Sequence, residues 1–136
     1  MTKRDKSDKS ITPDLPPAEM EVLAFVHHHG PVTIREVSEG LEREMGISAA
    51  KAQILRLEKK GLLERERIKG TRILRFASTA KAEPTYRFLS RRFVDRVFCG
   101  SPVNLVASFF DTREPTPEEI EQLKHIVAEA QKRKKQ

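Results

Sequence analysis

Apolar residues in the first half of the chain recur every three or four positions, which predicts three successive helices. Each helix has one apolar stripe that should face a core, and the stripes comprise Val22, Leu23, Phe25 and Val26, then Ile34, Val37 and Leu41, then Ala50, Ile54 and Leu57. Glycines stand where the stripes end, at Gly30, Gly46 and Gly61. Thr33 and Glu36 have capping-box spacing, so the second helix should run from there to about Met45, and Ser48 is placed to cap the third.

After the third helix the period changes from about four to about two. Residues 62–68 and 72–76 alternate imperfectly between apolar and charged side chains, and Lys-Gly-Thr at 69–71 is a turn signal, which predicts a hairpin. Residues 31–33 form a short extended segment before the second helix. This order of elements over residues 15–77 is that of a winged helix, in which the third helix enters the major groove of DNA and the hairpin lies along the backbone.

The second half of the chain predicts three more helices, which begin near Thr79, Ser101 and Thr116. Roughly sixty residues are few for a self-sufficient core. These helices either pack back onto the winged helix or bury their apolar faces against a second copy of the chain, and the homodimer is the arrangement that we expect. The expected dimer contacts are Phe93, Val97, Phe98, Leu105, Val106, Phe109, Leu123 and Ile126.

The expected fold class is therefore mainly α with a small β-hairpin wing. A flexible basic tail at residues 1–14 should precede a winged helix-turn-helix DNA-binding domain at residues 15–77. A helical dimerisation region should occupy residues 78–136.

Charge is concentrated in one part of the chain. The 136 residues include 26 Lys and Arg against 20 Asp and Glu, for a net charge of +6, and the isoelectric point is near 9.7. Residues 47–76 alone hold nine Lys and Arg against three Glu, a surplus equal to that of the whole chain. Such a block is either a solvated face that favours solubility or an electrostatic footprint for phosphates. Its coincidence with the third helix and the hairpin favours double-stranded DNA as the partner.

The third helix supplies Lys51, Gln53 and Arg56 as candidates for contacts to bases or to the groove floor. Candidates for phosphate contacts are Lys59, Lys60, Arg67, Lys69 and Arg72. The alternative interpretation is a winged-helix module that binds protein, with weak or non-specific DNA binding. A DNA-binding protein should bind duplex with an affinity that falls steeply with salt, whereas a protein-binding module should bind little duplex at moderate ionic strength.

Other function classes lack the residues that they need. No apolar run is long enough to span a membrane and the polar N-terminus is not a secretory signal, so a cytoplasmic protein is expected. No Gly-rich phosphate loop or catalytic triad pattern is present, so neither an enzyme nor a cofactor is expected. The consecutive His27, His28 and His29 suit a polar helix end better than a single metal site. Cys99 could be a redox sensor or form an intermolecular disulfide, but a buried, inert thiol beside Phe98 is expected.

Five segments resemble, in order, the penicillinase-repressor family, which includes the methicillin-resistance and copper-responsive repressors. They are Leu-Pro-Pro-Ala-Glu-Met-Glu-Val-Leu at 15–23, Gly-Pro-Val-Thr-Ile-Arg-Glu-Val at 30–37, Arg-Leu-Glu-Lys-Lys-Gly-Leu-Leu at 56–63, Cys-Gly-Ser-Pro-Val at 99–103 and Thr-Pro-Glu-Glu-Ile-Glu-Gln-Leu at 116–123. The resemblance implies a dimeric winged-helix repressor that occupies a palindromic operator until an inducing signal arrives.

The third helix departs from the pattern of this family. Ser48 retains a hydroxyl, but Ala49 and Ala52 stand where relatives usually have Thr. Lys51 and Arg56 match charged residues that relatives carry, so phosphate affinity should persist. Two hydroxyl contacts to bases are absent, whereas Ala can still contact a thymine methyl, so the resemblance leaves a changed, a weakened and a lost base specificity as alternatives.

Members of this family are induced by two routes, and the residues of this chain resemble those of only one. A membrane sensor protease cuts the antibiotic-responsive members before a Phe in the dimerisation region, and the equivalent bond here is Ser108–Phe109. Such a protease is therefore a candidate partner. The copper-responsive members carry Cys-x-Cys motifs near the C-terminus, and this chain has none there.

Overall fold

The structure, a computed structural model, describes residues 15–135, and the predicted basic tail at residues 1–14 lies outside them. The elements in chain order are α1 (Pro17–His29), α2 (Ile34–Gly40), α3 (Ile47–Lys59), β1 (Leu63–Arg67), β2 (Leu74–Ser78), α4 (Ala82–Val97), α5 (Pro102–Thr112) and α6 (Pro117–Lys135). The prediction of a mainly helical chain with one β-hairpin is confirmed. The chain divides into two compact units between Arg91 and Arg92, within α4.

The core of the first unit lies between α1, α2, α3 and the hairpin. The fully buried residues of the three helices belong to the predicted stripes, and they are Val22, Leu23, Val26, Val37, Ala50, Ile54 and Leu57. Phe25, Ile34 and Leu41 are only partly buried, and they pack against the edge of this core. Removal of these apolar surfaces from water fixes α3 against α1 and α2 and leaves its opposite side free.

The hairpin is joined to the helices by a third extended segment. β1 and β2 are antiparallel, with Arg65 opposite Phe76. Val32 pairs with the buried Phe76: its N–H donates to the Phe76 carbonyl at 3.0 Å and its carbonyl accepts from the Phe76 N–H at 2.7 Å. Gly70 adopts a φ of 81° in the turn of the hairpin, a left-handed conformation that glycine adopts more readily than any other residue. The wing is therefore anchored in the core at one end and exposed at its turn.

Three predicted helix boundaries were wrong. α2 ends at Gly40 and not near Met45, because Leu41 is already extended. α3 begins at Ile47 with Gly46 at its N-cap, so Ser48 lies inside the helix and does not cap it. α4 begins at Ala82 and not next to Thr79, whose hydroxyl instead donates to the Gly61 carbonyl at 2.6 Å. The predicted capping box of α2 is confirmed, since the Thr33 and Glu36 side chains each accept from the other residue's N–H.

The second unit has well-defined helix starts but no buried residue between 92 and 135. The Ser101 hydroxyl accepts from the Asn104 N–H at the start of α5. Thr116 and Glu119 form a capping box at the start of α6. None of the helices between residues 15 and 135 combines the length and the hydropathy of a membrane span.

Candidate nucleic-acid interface

The N-terminal end of α3 is held by the loop that precedes it. The Ser38 hydroxyl of α2 donates to the Met45 carbonyl at 2.7 Å. Arg43 donates to both carboxylate oxygens of Glu21 on α1, at 2.8 and 2.9 Å. The hydrogen bond from Arg43 lowers the pKa of the Glu21 carboxyl below its usual value. These contacts connect the loop to both preceding helices, so α3 begins at a defined place.

The C-terminal end of α3 is held by backbone hydrogen bonds and by an ion pair with α1. Gly61 has a φ of 82°, its N–H donates to the Glu58 carbonyl, and the Leu62 N–H donates to the Leu57 carbonyl. This is a Schellman motif, and it confirms the predicted role of Gly61. At the same point the Lys60 Nζ lies 2.6 Å from the Glu19 Oε1 of α1. Both ends of α3 are thus fixed relative to α1.

The face of α3 opposite the core is partly apolar. Residues on a helix turn by about 100° each, so positions 48, 52, 55 and 59 form one stripe opposite the buried residues. Ser48 and Lys59 are exposed, Ala52 is half-buried, and Leu55 is 37% exposed. The outward stripe therefore presents, in order, a hydroxyl, a methyl, an isobutyl group and an ammonium.

The sequence-predicted base contacts lie at different places relative to this stripe. Lys51 and Arg56 are exposed on its two flanks, where a helix in a groove could use them. Gln53 is half-buried on the side nearer the core. Leu55 is outside the sequence-predicted set, because the apolar period of α3 indicates the buried stripe, although the spacing of the opposite stripe also includes Leu55.

Ion pairs within the first unit neutralise some of its cations, and only the remaining cations are available to a partner. Of the nine Lys and Arg between residues 47 and 76, three have carboxylate partners: Lys60 pairs with Glu19, Arg65 with Glu58, and Arg75 with Glu66. The hydrogen bond with Arg65 lowers the pKa of the Glu58 carboxyl. Within residues 15–135 the other six have no ion-pair partner and all are exposed, namely Lys51, Arg56, Lys59, Arg67, Lys69 and Arg72.

These six cations lie on α3 and around the turn of the hairpin. Arg67 ends β1, and Lys69 and Arg72 lie in the connection to β2. Like charges placed together without carboxylate partners raise the local positive potential, which attracts a polyanion such as a phosphate backbone. Of the sequence-predicted phosphate contacts, Lys60 alone is paired with a buried carboxylate.

The second unit exposes an apolar surface. α5 and α6 border a groove of about 380 Å³ lined by Leu105, Val106, Phe109, Phe110, Glu119, Gln122, Leu123 and Ile126. Phe109 is 49% exposed, and Phe93 and Val97 of α4 are also exposed. The groove contains five of the eight residues predicted to form a dimer contact. Ser108 and Phe109, the candidate cleavage bond, are both exposed and lie within α5.

Of the three consecutive histidines, His27 and His28 contact α4, whereas the ring contact of His29 lies within α1. The His27 ring stacks on Tyr86, with ring centroids 4.5 Å apart, and its Nε2 lies 3.4 Å from the Glu83 carboxylate. The His28 Nε2 lies 2.7 Å from the Tyr86 hydroxyl oxygen. Across the described residues, no cluster of three or more His, Cys, Asp and Glu could hold a metal ion. His27 and His28 therefore connect the end of α1 to α4.

The expectation of a buried Cys99 was wrong. Cys99 is exposed, and it follows the end of α4 in a left-handed conformation with a φ of 53°. The chain has left α4 by this point, so Cys99 no longer follows the helical period of the apolar residues of α4. Phe98, its predicted neighbour in a core, is half-buried and packs edge-on against Phe93.

Known proteins resemble this chain in sequence and in fold. A family described as penicillinase repressor matches residues 15–129. The penicillinase repressor of Bacillus licheniformis is 28% identical over 126 residues, which cover 91% of this chain and 97% of that protein. The methicillin resistance regulatory protein MecI of Mammaliicoccus sciuri is 25% identical over 118 residues, covering 85% and 94%. A crystal structure of a mutant MarR from E. coli complexed with operator DNA has a TM-score of 0.55 at 17% identity, covering 86% of this chain and 76% of that one, which shows the likeness of fold.

Proposed function

The chain belongs to the penicillinase repressor family, and from that premise we propose that it is a sequence-specific DNA-binding repressor of transcription that acts as a homodimer. The observation that carries the proposal is the set of six exposed, unpaired cations on α3 and the hairpin turn. A winged helix presents its third helix to the major groove of DNA and its hairpin to the DNA backbone, and α3 and the hairpin are those two elements here.

We assign the roles of these residues from their positions. Lys51, Arg56 and Ser48 are exposed on α3 and would contact base edges, whereas Gln53, half-buried on the side nearer the core, would not reach them. The phosphate contacts would come from Lys59, Arg67, Lys69 and Arg72. Lys60, which is paired with Glu19, would orient α3 and would not contact DNA directly.

The homodimer would form through the second unit. Its helices have no buried residue, and their exposed apolar side chains include Phe93, Val97, Phe109 and Ile126. Contact with a second copy would remove this surface from water. A two-fold dimer would place two α3 helices about one DNA turn or a multiple of it apart, which matches a palindromic operator.

Repression would follow from occlusion of a promoter, and it needs no catalytic residue. Cleavage of the Ser108–Phe109 bond by a sensor protease would relieve it, because a cut within α5 would divide the proposed dimer surface. Cells treated with a β-lactam should then contain a truncated chain on an immunoblot. Detection of the full-length chain alone, with the regulated genes induced, would exclude this route.

A module that binds protein is the second candidate, and the apolar centre of the outward face of α3 favours it. Selection from a pool of random-sequence duplexes distinguishes the two. The repressor should enrich a palindromic sequence at physiological salt and lose affinity as salt rises. A protein module should enrich none.

A further inference from the structure

α3 exposes two large apolar residues, Ile47 and Leu55. Ile47 is the first residue of the helix and lies off the outward stripe, whereas Leu55 is 37% exposed at the centre of that stripe, next to the small Ala52. The contribution of α3 to the core comes from other residues, Ala50, Ile54 and Leu57. An isobutyl group at such a position is costly to leave in water. An apolar group on the surface that α3 contacts would remove this exposed area from water.

We propose that Leu55 and Ala52 read thymine through its C5-methyl group. This inference rests on the proposed function, because it requires α3 to lie in the major groove of DNA. Thymine alone among the four bases presents a methyl group there. The stripe leaves Leu55 and Ala52 as neighbours one turn apart, so together they form a continuous apolar surface that one or two methyl groups can cover.

Discrimination between bases has two sources, a favourable contact with thymine and an unfavourable contact with the other bases. A thymine methyl packed on Leu55 leaves contact with water, as the leucine does. A cytosine or guanine at the same place would instead bring an amino group or a carbonyl oxygen against the isobutyl group and lose its hydrogen bond to water. The outward face of α3 therefore favours thymine by attraction and disfavours polar base edges.

The flanks of the stripe have different chemistry. Lys51 and Arg56 carry the donors that suit guanine, whose major-groove edge has two acceptors. Gln53, the amide that could recognise adenine, is half-buried away from the stripe. The adenine partner of each thymine would then be read indirectly, through the methyl group on the opposite strand.

Deoxyuridine tests this inference, because it pairs like thymidine and lacks only the C5-methyl. The full-length chain is first used to select a duplex from a random pool. Each thymidine of that duplex is then replaced singly by deoxyuridine and binding is measured by fluorescence anisotropy. At one or two positions per half-site the affinity should fall about fourfold, the equivalent of one buried methyl group.

A Leu55→Ala variant links the effect to the proposed residue. It should bind the selected duplex more weakly, and the loss caused by deoxyuridine should shrink towards zero, since the two changes remove the same contact. Ile73→Ala is the matched control, because Ile73 is an exposed apolar residue of the same unit outside α3. That variant should retain the full sensitivity to deoxyuridine.

The possible outcomes separate this inference from the proposed function. Enrichment of a duplex whose affinity is unchanged at every deoxyuridine position would overturn thymine recognition and leave the repressor proposal intact. Equal sensitivity of Leu55→Ala and the wild type to deoxyuridine would overturn the assignment to Leu55. Failure to enrich any duplex would overturn the proposed function itself.

Discussion

The ammonium of Lys60 lies 2.6 Å from the Oε1 of Glu19, and this pair joins the C-terminal end of α3 to α1. The Glu19 side chain is 4% exposed, whereas that of Lys60 is 32% exposed. A carboxylate taken out of water needs a close cation to remain charged at moderate cost. The pair therefore fixes the orientation of α3 in the core.

Replacement of Lys60 by Ala should destabilise the first unit by about 3 kcal/mol, because it leaves the Glu19 carboxylate buried and unpaired. Urea unfolding followed by circular dichroism measures this change. Lys59→Ala is the neighbouring control: Lys59 is exposed and without an ion-pair partner in the described part of the chain, so its loss should weaken DNA binding and leave stability nearly unchanged. A Lys60→Ala variant as stable as the wild type would refute the structural role.

Gly40→Ala should destabilise the packing between α2 and α1. A Cβ at Gly40 would lie 2.5 Å from two carbons of the Phe25 ring, so the ring must move. Overpacking of this kind costs about 1–3 kcal/mol, which thermal unfolding can resolve. In a Phe25→Ala background the same Gly40→Ala change should not reduce stability, because the ring carbons that the Cβ would meet are absent. An equal loss of melting temperature in the two backgrounds would contradict the close approach of Gly40 and Phe25.

Glu119 should titrate far below an ordinary carboxyl. Arg113 donates to both of its oxygens, at 3.0 and 2.9 Å, and the Thr116 N–H donates to one of them. These contacts, that of Arg113 first, lower the pKa of Glu119 from 4.5 to about 2. The stabilisation is therefore complete above pH 4.5 and is lost as pH falls towards 2.

A titration of the Glu119 carboxyl followed by nuclear magnetic resonance measures this pKa. Arg113→Ala should raise the midpoint towards the usual range, because it removes the main donor. A midpoint near 4.5 in the wild-type chain would show that the carboxylate is not held in this way.

Phe109→Asp should convert a dimer into a monomer, because it places a charge in the groove between α5 and α6. Sedimentation velocity gives the mass of the species in solution. Val103→Asp is the control, since Val103 is 73% exposed on the same helix and does not line the groove. Equal masses for Phe109→Asp and the wild type would contradict a dimer formed through this groove.

The elements predicted correctly from the sequence are those whose position depends on residues close together in the chain. The stripe of Ala50, Ile54 and Leu57 repeats at helical spacing within one helix, so burial and periodicity coincide. The end of α2 was missed, because Leu41 is apolar and in register with the stripe, yet it packs at the core edge after the helix has ended. Ser48 has the side chain of a cap, but Gly46 already occupies the cap position.

The candidate site was predicted less completely, because part of it depends on distant residues. Lys60 and Glu19 are 41 positions apart, and no local pattern links them. Sequence therefore gave Lys60 the same role as Lys59, although the two adjacent lysines differ in their surroundings. The apolar period of α3 indicates its buried side, and Leu55 lies on the opposite side, so this period does not predict it.

The salt dependence of duplex binding tests the central claim most directly. If Lys59, Arg67, Lys69 and Arg72 of two chains contact phosphates, a plot of log affinity against log salt should have a slope of about −7. Arg72→Ala should reduce the steepness by about two and Lys51→Ala should weaken binding, whereas Arg75→Ala, which removes an arginine paired with Glu66, should keep the wild-type slope. A slope near zero, or Lys51→Ala and Arg72→Ala variants that both bind as the wild type does at physiological salt, would contradict the assignment of α3 and the hairpin as the DNA-binding surface.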